Sequence, residues 1–147
     1  MIVTSYSIQT KATKSDIWPF YANLKAWTEW DEDIEYAWLE GNNFTQGTTG
    51  VIKPRGASKV KFKLSEVTKN QSFTNISYLP LTKMTFSHQL TDNLDETTTI
   101  THQIEMKGLT APLFAFIIGR QMKAKLPDAM KKLAQLAESN PSEGSIQ

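Results

Sequence analysis

The chain has no cysteine, which excludes disulfides, thiol nucleophiles and zinc–thiolate sites while leaving the redox compartment open. It has no excess of charge: 16 Lys and Arg against 15 Asp and Glu give a formal +1, so nothing in bulk draws it to nucleic acid, anionic membrane or acidic substrate. It has no apolar run near the ~20 residues of a membrane span, the densest being Leu113 to Ile118. The opening residues, Met1 to Ser7, lack the basic flank and apolar stretch of a secretory signal, so the cytoplasm is the expected location. No Gly-x-Ser-x-Gly elbow and no phosphate loop is present, which disfavours serine hydrolysis and nucleotide hydrolysis. Histidine is scarce as well, with 2 in the chain.

Those two histidines share one apolar face. Met84, Phe86, His88 and Leu90 occupy alternate positions of one strand pattern, and Ile100, His102, Ile104 and Met106 do so in the next. Side chains two apart on a strand point the same way. Asp92 to Glu96 between them reads as a hairpin loop; if it is centred on Asp95, Phe86 lies opposite Ile104 and His88 opposite His102. Two imidazoles in an otherwise apolar wall suggest a pocket with a polar handle.

The 147 residues, 39% hydrophobic and 21% charged, are enough for one domain with a real core. Ile2 to Gln9 alternates as a first strand. Thr13 or Ser15 then offers an N-cap for a short helix through Trp18, Phe20 and Leu24, with Pro19 in its first turn, and Trp27 and Trp30 bracket a second helical turn. Further strands are expected at Ile34–Leu39, Val51–Lys53, Lys59–Val67 and Ser72–Leu79, ahead of the two that carry histidine. Thr110 is the expected cap of a long helix with the stripe Phe114, Ile118, Met122, Leu126, Met130, Leu133 and Ala137, which Pro127 should kink. Residues 1–138 then form a single α+β domain, and 139–147 a flexible polar tail. One amphipathic helix covers the apolar face of an antiparallel sheet, and such a sheet gripping one helix leaves space between them.

Several segments resemble the START-related, helix-grip (SRPBCC) superfamily, and within it the polyketide cyclase/dehydrase-like and lipid-transport-like branch. They are Ile17-Trp18, Trp27-Thr28-Glu29-Trp30-Asp31 with Ile34-Glu35, Gly47-Thr48-Thr49-Gly50, Phe86 to Leu90, Thr99 to His102 with Gly108, and Leu126 to Met130. The resemblance spans Ile8 to Ala137 and implies a helix-grip fold: a curved antiparallel sheet of six to seven strands wrapped around a long C-terminal helix, with two short helices after the first strand. It implies little about reaction, because members include carriers, sensors and cyclases. The glycine-rich loop of the birch-pollen-allergen branch is reduced here to Gly47 and Gly50, so that loop's contacts do not carry over.

The expected ligand is a small apolar or aromatic molecule between sheet and helix, lined by Tyr78, Met84, Phe86, His88, His102, Ile104, Met106, Phe114, Ile118, Met122 and Trp30, with Tyr78 and Phe86 nearest to it. Apolar surroundings lower an imidazole pKa, and two facing imidazoles resist being charged together, so neutral, hydrogen-bonding histidines are expected. His88 and His102 become catalytic candidates only if the chain is a cyclase or dehydratase that moves a proton on a bound carbonyl compound. No metal is expected: the sole acidic cluster, Asp31-Glu32-Asp33, lies far along the chain from the histidines. No cofactor is implied. The lysines of Lys53 to Lys63 lack interleaved outward aromatics, against nucleic-acid binding. The run Leu113 to Ile118 is wider than one helix stripe, which implies a ligand portal, a homodimer contact or an interaction surface for another chain.

Overall fold

Seven antiparallel strands make one sheet, described here from a computed structural model that covers residues 1–140. The polar tail expected at 139–147 lies, from residue 141 onward, outside the described residues. The strands are β1 (Ile2–Thr10), β2 (Ile34–Leu39), β3 (Thr49–Pro54), β4 (Val60–Thr68), β5 (Ser72–Leu79), β6 (Thr82–Asp92) and β7 (Thr98–Gly108). Their order across the sheet is β1-β7-β6-β5-β4-β3-β2, a meander from β2 to β7 closed by β1 against β7. The long polar hairpin pairs β6 with β7 in the expected register, Phe86 opposite Ile104 and His88 opposite His102.

The chain passes from β1 to β2 through α1 (Lys14–Ala22), a 3-10 turn (Leu24–Ala26) and α2 (Trp27–Trp30). Thr13 starts α1 through a capping box: its hydroxyl accepts from Asp16 N, and the Asp16 carboxylate accepts from Thr13 N at 2.9 Å. This start puts Pro19 inside α1 rather than in its first turn, where its missing N–H leaves one helical hydrogen bond unmade. The helix ends at Ala22, and Leu24 belongs to the next turn.

The C-terminal helix is not continuous α-helix. It comprises α3 (Ala111–Phe114), a five-residue π segment (Ala115–Gly119) and α4 (Arg120–Ser139). Thr110 does not cap it with its side chain. That hydroxyl instead bonds the Pro80 carbonyl and the Thr82 hydroxyl, both at 2.5 Å, tying the start of the helix to the β5–β6 turn. Pro127 lies inside α4 without ending it. The π segment runs close over β1: a Cβ on Gly119 would sit 2.7 Å from Val3 Cγ1, so only glycine permits this approach. Leu126, Met130, Leu133 and Ala137 of α4 are buried in one core with Ile17, Tyr21, Leu64, Phe73, Leu90 and Ile100.

Candidate functional site

Register alone assembles the centre of the site. Val67 on β4 pairs with Phe73 on β5, Phe73 with His88 on β6, His88 with His102 on β7, and His102 with Tyr6 on β1. Directly paired residues share a face, so this rung crosses the helix-covered side of five strands. The next rung toward the β5–β6 turn is Leu64, Asn75, Phe86, Ile104 and Thr4, and beyond it Ser77 pairs with Met84 and Met84 with Met106.

Rings fill the space above the histidines. His88 is sandwiched between Phe73, with centroids 3.9 Å apart, and Phe86, 4.6 Å away, both nearly parallel to it. Its Nδ1 donates to the Phe73 carbonyl at 3.2 Å, since a carbonyl can only accept. His102 stands edge-on to it at 4.6 Å. Tyr21 descends from α1, and its hydroxyl meets His102 Nε2 at 2.7 Å. Two tryptophans hold the end of α1 in place, Trp27 Nε1 donating to the Tyr21 carbonyl and Trp30 Nε1 to the Phe20 carbonyl, while the Trp30 ring lies 5.9 Å from His102.

Burial dominates the electrostatics. Removal from water holds His102 down to about 3. His88 lies well below the usual imidazole range through burial first and the neighbouring His102 charge second, opposed by its bond to Phe73. Burial pushes the Tyr21 phenol up. All three groups are therefore neutral near pH 7. Two buried polar atoms on this face have no hydrogen-bond partner among the described residues: His102 Nδ1 and Asn75 Oδ1.

The other expected residues fall into clear places. Met84 and Phe86 are half-buried on the helix-covered face, Ile104 and Met106 fully buried beside them, and Phe114, Ile118 and Met122 half-buried along α3, the π segment and α4. Tyr78 does not join them. With Phe73, Asn75 and Ser77 turned inward, a period of two sends Tyr78 to the outer face opposite Lys83, where it is 73% exposed. Nor do the histidines border open space; His102 and Tyr21 have no exposure at all. The acidic run Asp31-Glu32-Asp33 lines a separate shallow depression of about 100 Å³ with Lys125, Asp128 and Lys132. Sequence reading missed Tyr21, which only its i+4 spacing from Ile17 hinted at, and Asn75, whose place in the alternation Phe73, Asn75, Ser77 was the available signal.

The family described as polyketide cyclase / dehydrase and lipid transport matches residues 1–138. The chain belongs to that family. The cyclase/dehydrase and lipid-transport family's helix-grip architecture also recurs in solved structures of low identity. Ara h 8.0201 superposes with a TM-score of 0.72 at 12% identity, over 93% of this chain and 97% of that one. A hypothetical protein from Helicobacter pylori gives 0.74 at 10%, over 90% and 86%. Truncated norcoclaurine synthase from Thalictrum flavum gives 0.68 at 16%, over 90% and 91%. At these identities the likeness establishes the fold. No functionally curated protein matches the chain by sequence.

Proposed function

We propose that the protein binds a small hydrophobic or aromatic molecule between the helix-covered face of the sheet and the first half of the C-terminal helix. The observation that carries this reading is the set of half-buried apolar side chains, Met84 and Phe86 on the sheet and Phe114, Ile118 and Met122 on the helix that covers it, beside two unpartnered buried atoms, His102 Nδ1 and Asn75 Oδ1. An unmade buried hydrogen bond costs about 1–3 kcal/mol, so two on one face call for a ligand atom or a water to answer them. Met84, Phe86, Phe114, Ile118 and Met122, all half-buried, supply the apolar surface. This is the usual composition of a small-molecule site, many apolar groups and a few polar ones that set orientation. The family description, polyketide cyclase / dehydrase and lipid transport, accords with such a site.

Proton abstraction is not the role this reading gives His102. An imidazole held neutral down to about pH 3 is a weak base, poorly matched to removing a proton near neutrality. Native mass spectrometry of gently purified protein tests the reading, with titration of the fluorescent probe 8-anilinonaphthalene-1-sulfonate beside it. The expected result is one adduct, or one saturable probe site, blocked by Met84→Trp and by Ile118→Trp in folded protein. Absence of both adduct and probe binding, or binding untouched by either substitution, overturns it.

A further inference from the structure

The end of the molecule nearest Met84 and Met106 carries an apolar surface that the ligand reading does not use. The β5–β6 turn and the β7–α3 turn are joined there by the Thr110 bonds to Pro80 and Thr82, and by Gly108, where a Cβ would lie 2.1 Å from the Leu81 carbonyl. Leu81 and Leu109, one in each turn, are exposed to solvent, 68% and 86%. Leu81 has φ +58°, a conformation that glycine or asparagine takes more readily, so an exposed leucine stands where the backbone favours a different residue. Leu113, Phe116 and Ile117 continue the apolar surface along the outside of the helix. Five large apolar side chains exposed on the two joined turns and the helix segment that follows them point to an interaction surface.

Charge decides among occupants. Lys83 and Lys107 are directly opposite each other on the outer face of β6 and β7, a like-charge pairing that is locally unfavourable, and among the described residues Glu105, 3.6 Å from Lys107, is paired with one of them. Arg120, whose guanidinium lies 5.6 Å above the Phe116 ring, and Lys123 extend the positive rim. No acidic residue occurs between Met106 and Pro127. A second copy of the chain docking by the Phe116 side of the helix would bring the Arg120 and Lys123 cations of the two chains toward one another, which disfavours a twofold dimer.

We infer that this end docks peripherally on an anionic lipid surface, with Leu81, Leu109, Leu113, Phe116 and Ile117 entering the interface and Lys83, Lys107, Arg120 and Lys123 meeting the headgroups. Apolar insertion with basic side chains at the boundary is the combination that holds a protein to a bilayer without spanning it. The net charge of +1 hides this, because the charges are asymmetric in space rather than in number. The docking is independent of whether a ligand occupies the interior.

Vesicle flotation of the whole chain tests it, with phosphatidylcholine alone and with phosphatidylserine added. The protein is expected to float with the anionic vesicles, to release as salt rises, and to bind about fivefold less for each cation neutralised in Lys83→Gln and Lys107→Gln. Leu109→Ser with Phe116→Asp is expected to abolish flotation while the thermal melt is unchanged, since both side chains are exposed. Equal flotation with neutral vesicles, no flotation with either, or flotation indifferent to these substitutions overturns the inference. So does sedimentation showing a dimer without vesicles that Phe116→Asp dissociates, which would make the surface a contact between copies.

Discussion

Tyr21 on the first helix and His102 on the last strand, 81 positions apart in sequence, meet in a buried 2.7 Å hydrogen bond. The bond fastens α1 to the middle of the sheet and, among the described residues, is the one hydrogen bond to the His102 ring, whose other nitrogen has no partner there.

Tyr21→Phe keeps the ring, with its edge contact to Phe73 at 4.9 Å, and removes only the hydroxyl. Both nitrogens of His102 are then buried without a partner. A loss of about 1–3 kcal/mol is expected, read as a lower urea midpoint with unchanged slope. Tyr21→Ala empties the centre as well and should cost about 3–5 kcal/mol. Equal stability of the wild type and Tyr21→Phe would show that the hydroxyl contributes nothing.

Stability should fall on acidification between about pH 6.5 and 3. Both histidines have folded pKa values below the unfolded value of about 6.5, so the unfolded chain binds more protons in this window. Their contribution is fully present above pH 6.5 and is lost as pH falls toward the folded values. Asp31 acts in the opposite sense: burial, the larger cause, raises it to about 6, so its contribution favours the folded state at low pH and is lost as pH rises toward 6. The two buried histidines, with Glu35 and Asp95 whose lowered pKa values act in the same sense, outweigh Asp31 and leave a net loss on acidification. Asp31→Asn should therefore steepen the decline, and His102→Gln should flatten it, both measured by chemical denaturation at stepped pH. A wild-type profile that is flat from pH 7 to 4 would contradict the burial of the imidazoles.

Gly119→Ala would gain about 1 kcal/mol from helix propensity at an exposed site. Here the new Cβ meets Val3 Cγ1 at 2.7 Å, and a β-branched side chain has little freedom to turn away. Overpacking of about 1–3 kcal/mol should prevail, giving a lower melting temperature that Val3→Ala in the same chain restores. A more stable single variant would show that the π segment does not press on β1.

Much of this protein was legible without its structure, and the boundary has a physical cause. Alternation at Met84–Leu90 and Ile100–Met106, with a polar loop between them, determined two strands, their register and the facing histidines, because the period of two and the hairpin are local. Helical spacing from Leu126 to Ala137 likewise determined which side of α4 enters the core. Tertiary structure decided what local periods cannot encode. It brought Tyr21 over His102, filled the expected hollow at the histidines with Phe73 and Phe86, turned Tyr78 outward through the parity of β5, and drew the Thr110 hydroxyl from a helix cap to Pro80. Each outcome depends on which distant group lies across a gap of a few ångströms, and packing of the whole chain sets that distance.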